Sequence, residues 1–124
     1  MRFFSSQKND TNTFPGQSLV SLKQLETIVS DSFLKPQLIF KHSTRCSISR
    51  FVLDSFISNY SFDSNDFGTW YLDLLTYRDI SNTIATEFDV IHQSPQLIVI
   101  RNGKVIIHAS HDNILNADLK SILN

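Results

Sequence analysis

Cysteine is almost absent from this sequence, since Cys46 is the only one among 124 residues. A single cysteine excludes a disulfide bond within the chain and every zinc site built from CxxC pairs. Thiols stay reduced in the cytoplasm, and residues 1–8 lack the long apolar core of a secretory leader. We therefore expect a cytoplasmic protein that binds no metal.

An excess of charge of one sign and a long hydrophobic run are also missing. Eleven Lys and Arg residues face twelve Asp and Glu residues, so the net charge of −1 gives no nucleic-acid footprint. No apolar stretch approaches the roughly 20 residues that span a bilayer. Hydrophobic residues make up 41% of the chain, which is enough to fold. We expect one domain with its own core and no nucleic-acid or membrane partner.

Cys46 lies where an apolar run ends and a helical pattern begins. Residues 37–41 predict a buried strand, and residues 47–59 predict a helix. In redox enzymes a short turn often brings a cysteine to the start of a helix, where unpaired N–H groups and a partial positive charge stabilise a thiolate. Arg45 adds a full positive charge. We therefore predict that Cys46 is a reactive thiol. The apolar face predicted for its helix consists of Ile48, Phe51, Val52, Ser55 and Phe56.

Helix signals recur in the rest of the chain. Ser21 with Gln24, and Thr76 with Asp79, have the spacing of a capping box, in which two side chains close a helix N-terminus. The apolar spacing within residues 112–123 predicts a closing helix.

Strand signals complete the pattern. Residues 67–74 alternate between apolar and polar side chains, and Asn102-Gly103 separates two apolar runs as in a hairpin. The predicted order is helix, strand, helix, strand, helix, hairpin, helix. With a cysteine after the first strand and a proline entering the third, this order indicates an α/β, thioredoxin-like fold with a central four-stranded mixed sheet flanked by helices. We assign residues 17–124 to this domain and residues 1–16 to a flexible N-terminal arm.

Four stretches of the sequence also match one known family in order. They are residues 40–49, residues 71–81, residues 94–96, and residues 102–104 with 108–111. Together they resemble the YtxJ-type monothiol bacilliredoxins, from about residue 18 to the C-terminus. The resemblance implies a thioredoxin fold and an association with bacillithiol, a low-molecular-weight thiol that some bacteria use in place of glutathione.

The resemblance implies removal of bacillithiol from mixed disulfides, so S-bacillithiolated proteins are the expected partners and bacillithiol the co-substrate, with no bound cofactor. Ser49 lies three positions after Cys46, where a dithiol enzyme has its second cysteine, and a hydroxyl cannot attack a disulfide. An external thiol, either small or on another redoxin, must therefore regenerate Cys46. We expect Arg45, Thr44 and Ser49 to tune the thiolate, and the protein to be a monomer.

Pro95 begins the third predicted strand. It is either a trans proline of an edge strand or the cis proline that thioredoxin-like folds keep opposite the cysteine. The resemblance implies the cis form, with the backbone of Ser94 beside the incoming disulfide. His42 precedes Cys46 by four residues, and a structural hydrogen bond explains it more simply than a zinc site, which takes four ligands.

Substrate recognition is expected near two predicted helix starts. Bacillithiol ends in a malate, and cations and helix N-termini bind carboxylates. Ser110 and His111 open the last predicted helix, and Arg78 opens the one before it. We expect these three residues to bind the substrate together with Ser94 and Pro95. Arg78 is equally well explained as a solvated charge, and Ser110 as an ordinary helix cap.

Two other functions are compatible with the same residues. Monothiol glutaredoxins can hold an iron–sulfur cluster between two subunits, but those proteins have a glycine after the cysteine where this chain has Ser47. The chain could also be a non-catalytic thioredoxin-fold adaptor with Cys46 as a structural cysteine. Brown colour after anaerobic purification would favour the cluster, and a thiol inert to alkylation would favour the adaptor.

Overall fold

A computed structural model describes residues 13–123. Most of the predicted arm, residues 1–16, therefore lies outside the described residues, and its flexibility stays a prediction. The regular elements, in chain order, are β1 (Gln17–Ser18), α1 (Leu22–Asp31), β2 (Gln37–His42), α2 (Ser47–Asn59), β3 (Gly68–Asp73), α3 (Arg78–Glu87), β4 (Gln96–Arg101) and β5 (Lys104–Ser110). Two 3₁₀ helices, His111–Asn116 and Lys120–Leu123, follow β5.

The strands form one mixed sheet in the order β1-β3-β2-β4-β5. β1, β3 and β2 are parallel, whereas β4 is antiparallel to β2 and β5 is antiparallel to β4. The predicted α/β fold with a mixed sheet is confirmed. The sheet has five strands instead of four, because Gln17–Ser18 pairs with Trp70 and Tyr71 as a short edge strand.

The sheet has an apolar layer on each face, because side chains alternate along every strand. The first layer packs under α1 and α3, and its buried members include Leu25, Ile28, Ile39, Trp70, Ile80 and Ile98. The second layer packs under α2 and the first 3₁₀ helix, and its buried members include Leu38, Phe40, Val52, Phe56, Leu97 and Ile114. All six residues of β2 are buried, so this central strand is covered on both faces.

Phe14 shows that packing begins before β1. Its ring lies 5.7 Å from the ring of Tyr71 and 6.4 Å from that of Phe40. Thr69 Oγ1 also donates a hydrogen bond to the carbonyl of Pro15. The last residues assigned to the arm are thus in contact with the sheet.

One predicted capping box is present and the other is wrong. Ser21 Oγ accepts from Gln24 N, and Gln24 Oε1 accepts from Ser21 N, at 3.2 Å each. Thr76 instead donates to Asp73 Oδ2 at 2.8 Å, and α3 begins two residues later with no side-chain cap on its N-terminus. The Thr76 hydroxyl, which was expected to cap the helix, is instead hydrogen-bonded to the carboxylate of Asp73 at the end of β3.

The predicted closing α-helix over residues 112–123 is also wrong. Two 3₁₀ helices replace it, separated at Ala117, whose backbone is extended. Ser121 bonds to the side chain and the carbonyl of Asp118, so local polar contacts compete with a continuous helix. Ile114, Leu119 and Ile122 are nevertheless buried.

The helix after Cys46 has the predicted bounds but a different buried face. Val52 and Phe56 are buried as expected, together with Ser49 and Leu53. Ile48 and Phe51 are 63% and 65% exposed, so they lie on the surface near the start of the helix. Within residues 13–123, no helix is both long and apolar enough to cross a membrane.

Candidate active site

Cys46 is the N-cap residue of α2 and follows the carboxyl end of β2 by a short turn. Its N–H donates to the carbonyl of Ser43 at 3.2 Å, and its carbonyl accepts from Arg50 N at 3.0 Å. The backbone of the cysteine is therefore held on both sides. The half-buried side chain makes no capping hydrogen bond, which leaves the sulfur available at the N-terminus of the helix.

Ser49 links the end of β2 to the first turn of α2. Its side chain is fully buried, and its Oγ lies 2.7 Å from His42 Nδ1 and accepts from Ser43 N at 3.2 Å. Within residues 13–123, the side chain of Ser49 forms no hydrogen bond with Cys46. Its expected part in tuning the thiolate stays a prediction. The contacts of Ser49 are with residues 42 and 43, at the start of the turn that carries Cys46, so any effect on the thiol would act through the position of that turn.

Thr44 and Arg45, the other expected tuning residues, are exposed, and no hydrogen bond or ion pair of their side chains occurs in the described part of the chain. Arg50 is a cation that the sequence analysis missed. It lies one helical turn after Cys46, and its charge lowers the pKa of His42. The sequence did contain a signal for it, because a side chain four residues after another lies on the same face of a helix.

His42 is fully buried at the end of β2. Burial lowers the pKa of its ring, and the charge of Arg50 adds to this effect, while Asp73 and Asp54 oppose it. The imidazole is therefore neutral at physiological pH. The expected structural hydrogen bond is present, to Ser49, whereas the buried Nε2 atom has no partner within residues 13–123.

The Ser94–Pro95 segment lies at the same end of the sheet as Cys46. Lys41 of β2 pairs with Gln96 of β4, and the two strands are antiparallel, so β4 starts where β2 ends. The peptide bond between Ser94 and Pro95 is cis. Pro95 is buried, and its carbonyl accepts from the N–H of His111 at 3.0 Å.

Ser110 and His111 line a cavity of about 450 Å³ beside this segment. Gln96 also lines it: its Nε2 donates to the carbonyl of Ile91 at 3.1 Å, while its buried Oε1 has no partner among the described residues. His111 has a positive φ of 58°, which is uncommon for a residue with a side chain. Ser110 is the N-cap and His111 the first residue of a six-residue 3₁₀ helix, which stands in place of the expected α-helix.

Arg78 does not line that cavity. It is the exposed first residue of α3, and its charge lowers the pKa of His92. The structure thus brings Ser110 and His111 together near Pro95. Arg78 lies instead at the start of α3, where its charge acts on His92. Binding of one ligand by all three residues stays a prediction.

The sequence analysis placed Lys41 at the end of the first predicted strand and gave it no part in the site. Its side chain is fully buried, and its Nζ lies 2.8 Å from His92 Nδ1. Burial lowers the pKa of Lys41 to about 8. Burial, Lys41 and Arg78, in that order, lower the pKa of His92. Ser81 Oγ is 3.5 Å from the same ring nitrogen.

A cysteine at the start of the helix after the central strand, opposite a cis proline, defines a thioredoxin-fold thiol oxidoreductase. The structure is similar to that of a protein assigned as an oxidoreductase with a thioredoxin fold, with a TM-score of 0.69 and 29% identity over 81% of this chain and 86% of that chain. The thioredoxin of Malassezia sympodialis has a TM-score of 0.67 and 19% identity, over 90% and 96%. A mutant of poplar thioredoxin h has a TM-score of 0.68 and 17% identity, over 88% and 83%.

The family model that matches this chain is that of the monothiol bacilliredoxin BrxC, over residues 17–119. The chain therefore belongs to the monothiol bacilliredoxin BrxC family, as the resemblance predicted. Its general function is thiol redox chemistry on a thioredoxin fold.

Proposed function

We propose that this protein removes bacillithiol from S-bacillithiolated proteins through a mixed disulfide on Cys46. The observation that carries the proposal is the start of α2. An available sulfur lies at the helix N-cap, and the position of a resolving thiol is filled by the buried hydroxyl of Ser49. Such a site can form a mixed disulfide with a small thiol, but it needs an external thiol to break that disulfide again.

The reaction has two exchange steps. In the first, the thiolate of Cys46 attacks the bacillithiol sulfur of the mixed disulfide, a Cys46–bacillithiol disulfide forms, and the client protein leaves as a thiolate that takes a proton from water. In the second, an external thiolate attacks the bacillithiol sulfur and Cys46 leaves as the thiolate. The external thiol, which is oxidised to a mixed disulfide with bacillithiol, is the reductant.

The two sides of the Ser94–Pro95 segment would receive the two halves of the substrate. The backbone of Ser94, which precedes the buried Pro95, would pair with the chain that carries the disulfide, as an added strand does. The cavity beside Ser110 and His111 offers polar groups to the bacillithiol portion, and Arg78 would attract its malate. The exposed apolar side chains of Ile48 and Phe51 would contact the client protein.

Intact-protein mass spectrometry tests this function. The reduced protein is mixed with a bacillithiolated client protein, alongside the Cys46→Ser variant and a matched Ser47→Ala control. We expect one bacillithiol on Cys46, release of free client thiol in equal amount, no adduct on Cys46→Ser, and transfer by Ser47→Ala. The same experiment with a glutathionylated client tests the choice of thiol.

Absence of transfer would contradict the proposal. If Cys46 still reacted with iodoacetamide, the iron–sulfur scaffold would be examined next, through the visible spectrum after anaerobic purification. If Cys46 were inert to iodoacetamide, the adaptor alternative would be favoured.

A further inference from the structure

Lys41 is an unusual residue for its position. It is fully buried within a strand that is covered on both faces, yet no carboxylate lies within ion-pair distance of it in the described part of the chain. Lysine is almost never fully buried without a partner, because removing an ammonium group from water is costly. Its partner here is the ring of His92, whose Nδ1 lies 2.8 Å from Lys41 Nζ.

His92 belongs to the segment that carries the cis proline. This segment, residues 91–95, is the last part of the connection between α3 and β4 and contains no regular secondary structure; we call it the proline loop. Four hydrogen bonds reach it: Lys41 Nζ to His92 Nδ1, a longer one of 3.5 Å between Ser81 Oγ and the same nitrogen, Gln96 Nε2 to the carbonyl of Ile91, and His111 N to the carbonyl of Pro95. Lys41 and Gln96 are direct partners across β2 and β4.

We propose that Lys41 and His92 are positioning residues, whose hydrogen bond holds the proline loop and thereby keeps the Ser94–Pro95 backbone in place for the disulfide of the substrate. This inference rests on the proposed function, because it assumes that the substrate binds along that backbone. Within residues 13–123, neither side chain forms a hydrogen bond with Cys46. The expected effect is therefore on substrate binding more than on the exchange of sulfur atoms.

The hydrogen bond depends on the protonation of His92. Lysine donates whether it is charged or neutral, whereas Nδ1 accepts only while the imidazole is neutral. Partial burial of the ring lowers the pKa of His92, and the charges of Lys41 from β2 and Arg78 from α3 lower it further. The bond is therefore expected to persist at neutral pH. It is lost as the pH falls through the lowered pKa of His92, when two cations would face each other.

Kinetics of four variants test the proposal. His92→Asn keeps an acceptor near the place of Nδ1 but cannot be protonated, His92→Leu removes the acceptor, and Lys41→Met removes the donor at similar length. Lys104→Met is the matched control, because Lys104 is exposed at the start of β5. KM and kcat are measured with a bacillithiolated client between about pH 5.5 and about pH 8.

We expect Lys41→Met and His92→Leu to raise KM about fivefold or more with little change in kcat, as loss of uniform binding does. His92→Asn and Lys104→Met should resemble the wild type at neutral pH. The wild-type KM, divided by that of His92→Asn at the same pH, should rise toward acid pH. This ratio cancels every pH effect that the two proteins share. Equal losses in His92→Asn and His92→Leu, or a ratio independent of pH, would overturn the proposal.

Hydrogen exchange gives a readout that needs no substrate. The amide of His111 donates to Pro95, so it should exchange about tenfold faster in Lys41→Met if the proline loop loosens. The amide of Ile98, inside β4, is the internal control. Unchanged exchange at His111 would overturn the role of Lys41 even in an active enzyme. Faster exchange in a protein that transfers no bacillithiol would instead show that the loop contact is real and the proposed function is wrong.

Discussion

Lys41 and His42 are neighbours in sequence, but they lie on opposite faces of the sheet and hold different parts of the candidate active site. His42 bonds at 2.7 Å to Ser49, which supports the turn that carries Cys46. Lys41 bonds at 2.8 Å to His92 in the proline loop. Both side chains are fully buried at the end of β2. The alternation of one central strand thus supplies a polar contact to each half of the site.

The two contacts differ in how far apart their partners lie in the sequence. His42 and Ser49 are seven residues apart, whereas Lys41 and His92 are 51 residues apart. Loss of the first contact should disturb the cysteine turn, and loss of the second should disturb substrate binding. The following changes separate these effects.

The largest effect on stability is expected from His42→Ala. Removing a fully buried ring leaves a cavity and takes a partner from Ser49 Oγ, which should lower the free energy of unfolding by about 3 kcal/mol. Urea denaturation measures this change. The matched control, His108→Ala, removes an exposed ring from β5 and should cost at most about 0.5 kcal/mol. Similar losses in the two variants would contradict the structural role of His42.

Lys41→Met should change the way in which the free energy of unfolding depends on pH under alkaline conditions. The pKa of Lys41 is lowered from 10.5 to about 8, so between these values the unfolded chain binds more protons than the folded one. The free energy of unfolding of the wild type should therefore rise between about pH 8 and about pH 10, by about 2 kcal/mol after a discount for solvent screening.

The pH dependence is measured by urea denaturation at the two pH values. Lys41→Met should lose the rise, and Lys104→Met should keep it. The series stops near pH 10, because burial raises the pKa of Tyr60 to about 12 and stability falls with further increase in pH. A wild-type profile that is flat over this range would show that Lys41 is not held as described.

Ser49→Cys should convert the site from one thiol to two. The new thiol is a weaker partner for His42 and Ser43 N, so a loss of about 1 kcal/mol is expected. This second thiol should then expel bacillithiol from the adduct on Cys46 and form an internal disulfide, which mass spectrometry detects as a protein lighter by two hydrogens. Ser47→Cys is the matched control, because Cα atoms about 3.8 Å apart are too close for an unstrained disulfide. A persistent adduct in Ser49→Cys would show that residue 49 cannot reach the sulfur.

Arg45→Gln should have the smallest effect. A positive charge near a thiolate increases its amount but reduces its nucleophilicity, so the two effects nearly cancel in the attack on the client disulfide. Regeneration, in which Cys46 is the leaving group, should slow about twofold more than attack. Single-turnover measurements of each half-reaction, with Lys104→Gln as control, decide the matter. Equal slowing of both steps would contradict this assignment.

Local signals in the sequence were sufficient for much of the fold. The bounds of α2 and the order of the major elements followed from apolar spacing, and the capping box at Ser21 was correct. The same kind of signal failed at Thr76, where Asp73 competes for the hydroxyl, and after His111, where Asp118 and Ser121 favour separate 3₁₀ helices. In each failure a neighbouring polar side chain offered an alternative hydrogen bond.

The site was only partly accessible to sequence reasoning. Cys46 and the Ser94–Pro95 segment could be located, because a lone cysteine before a helix and a proline before a strand are local features. The burial of Lys41 could not, since it depends on pairing with Gln96 and on a histidine from a distant loop. The separation of Arg78 from Ser110 and His111 depends likewise on the packing of α3.

The alignment of β2 between β3 and β4 has a consequence for changes in chain length. His42 is opposite Asp73, and Lys41 is opposite Gln96. Deletion of one residue before β2, with the strand slipping to fill the gap, would move every side chain to the other face. The amine would then face the cysteine turn and the imidazole would face the proline loop. Insertions and deletions in residues 32–36 should therefore be tolerated only when the loop absorbs them.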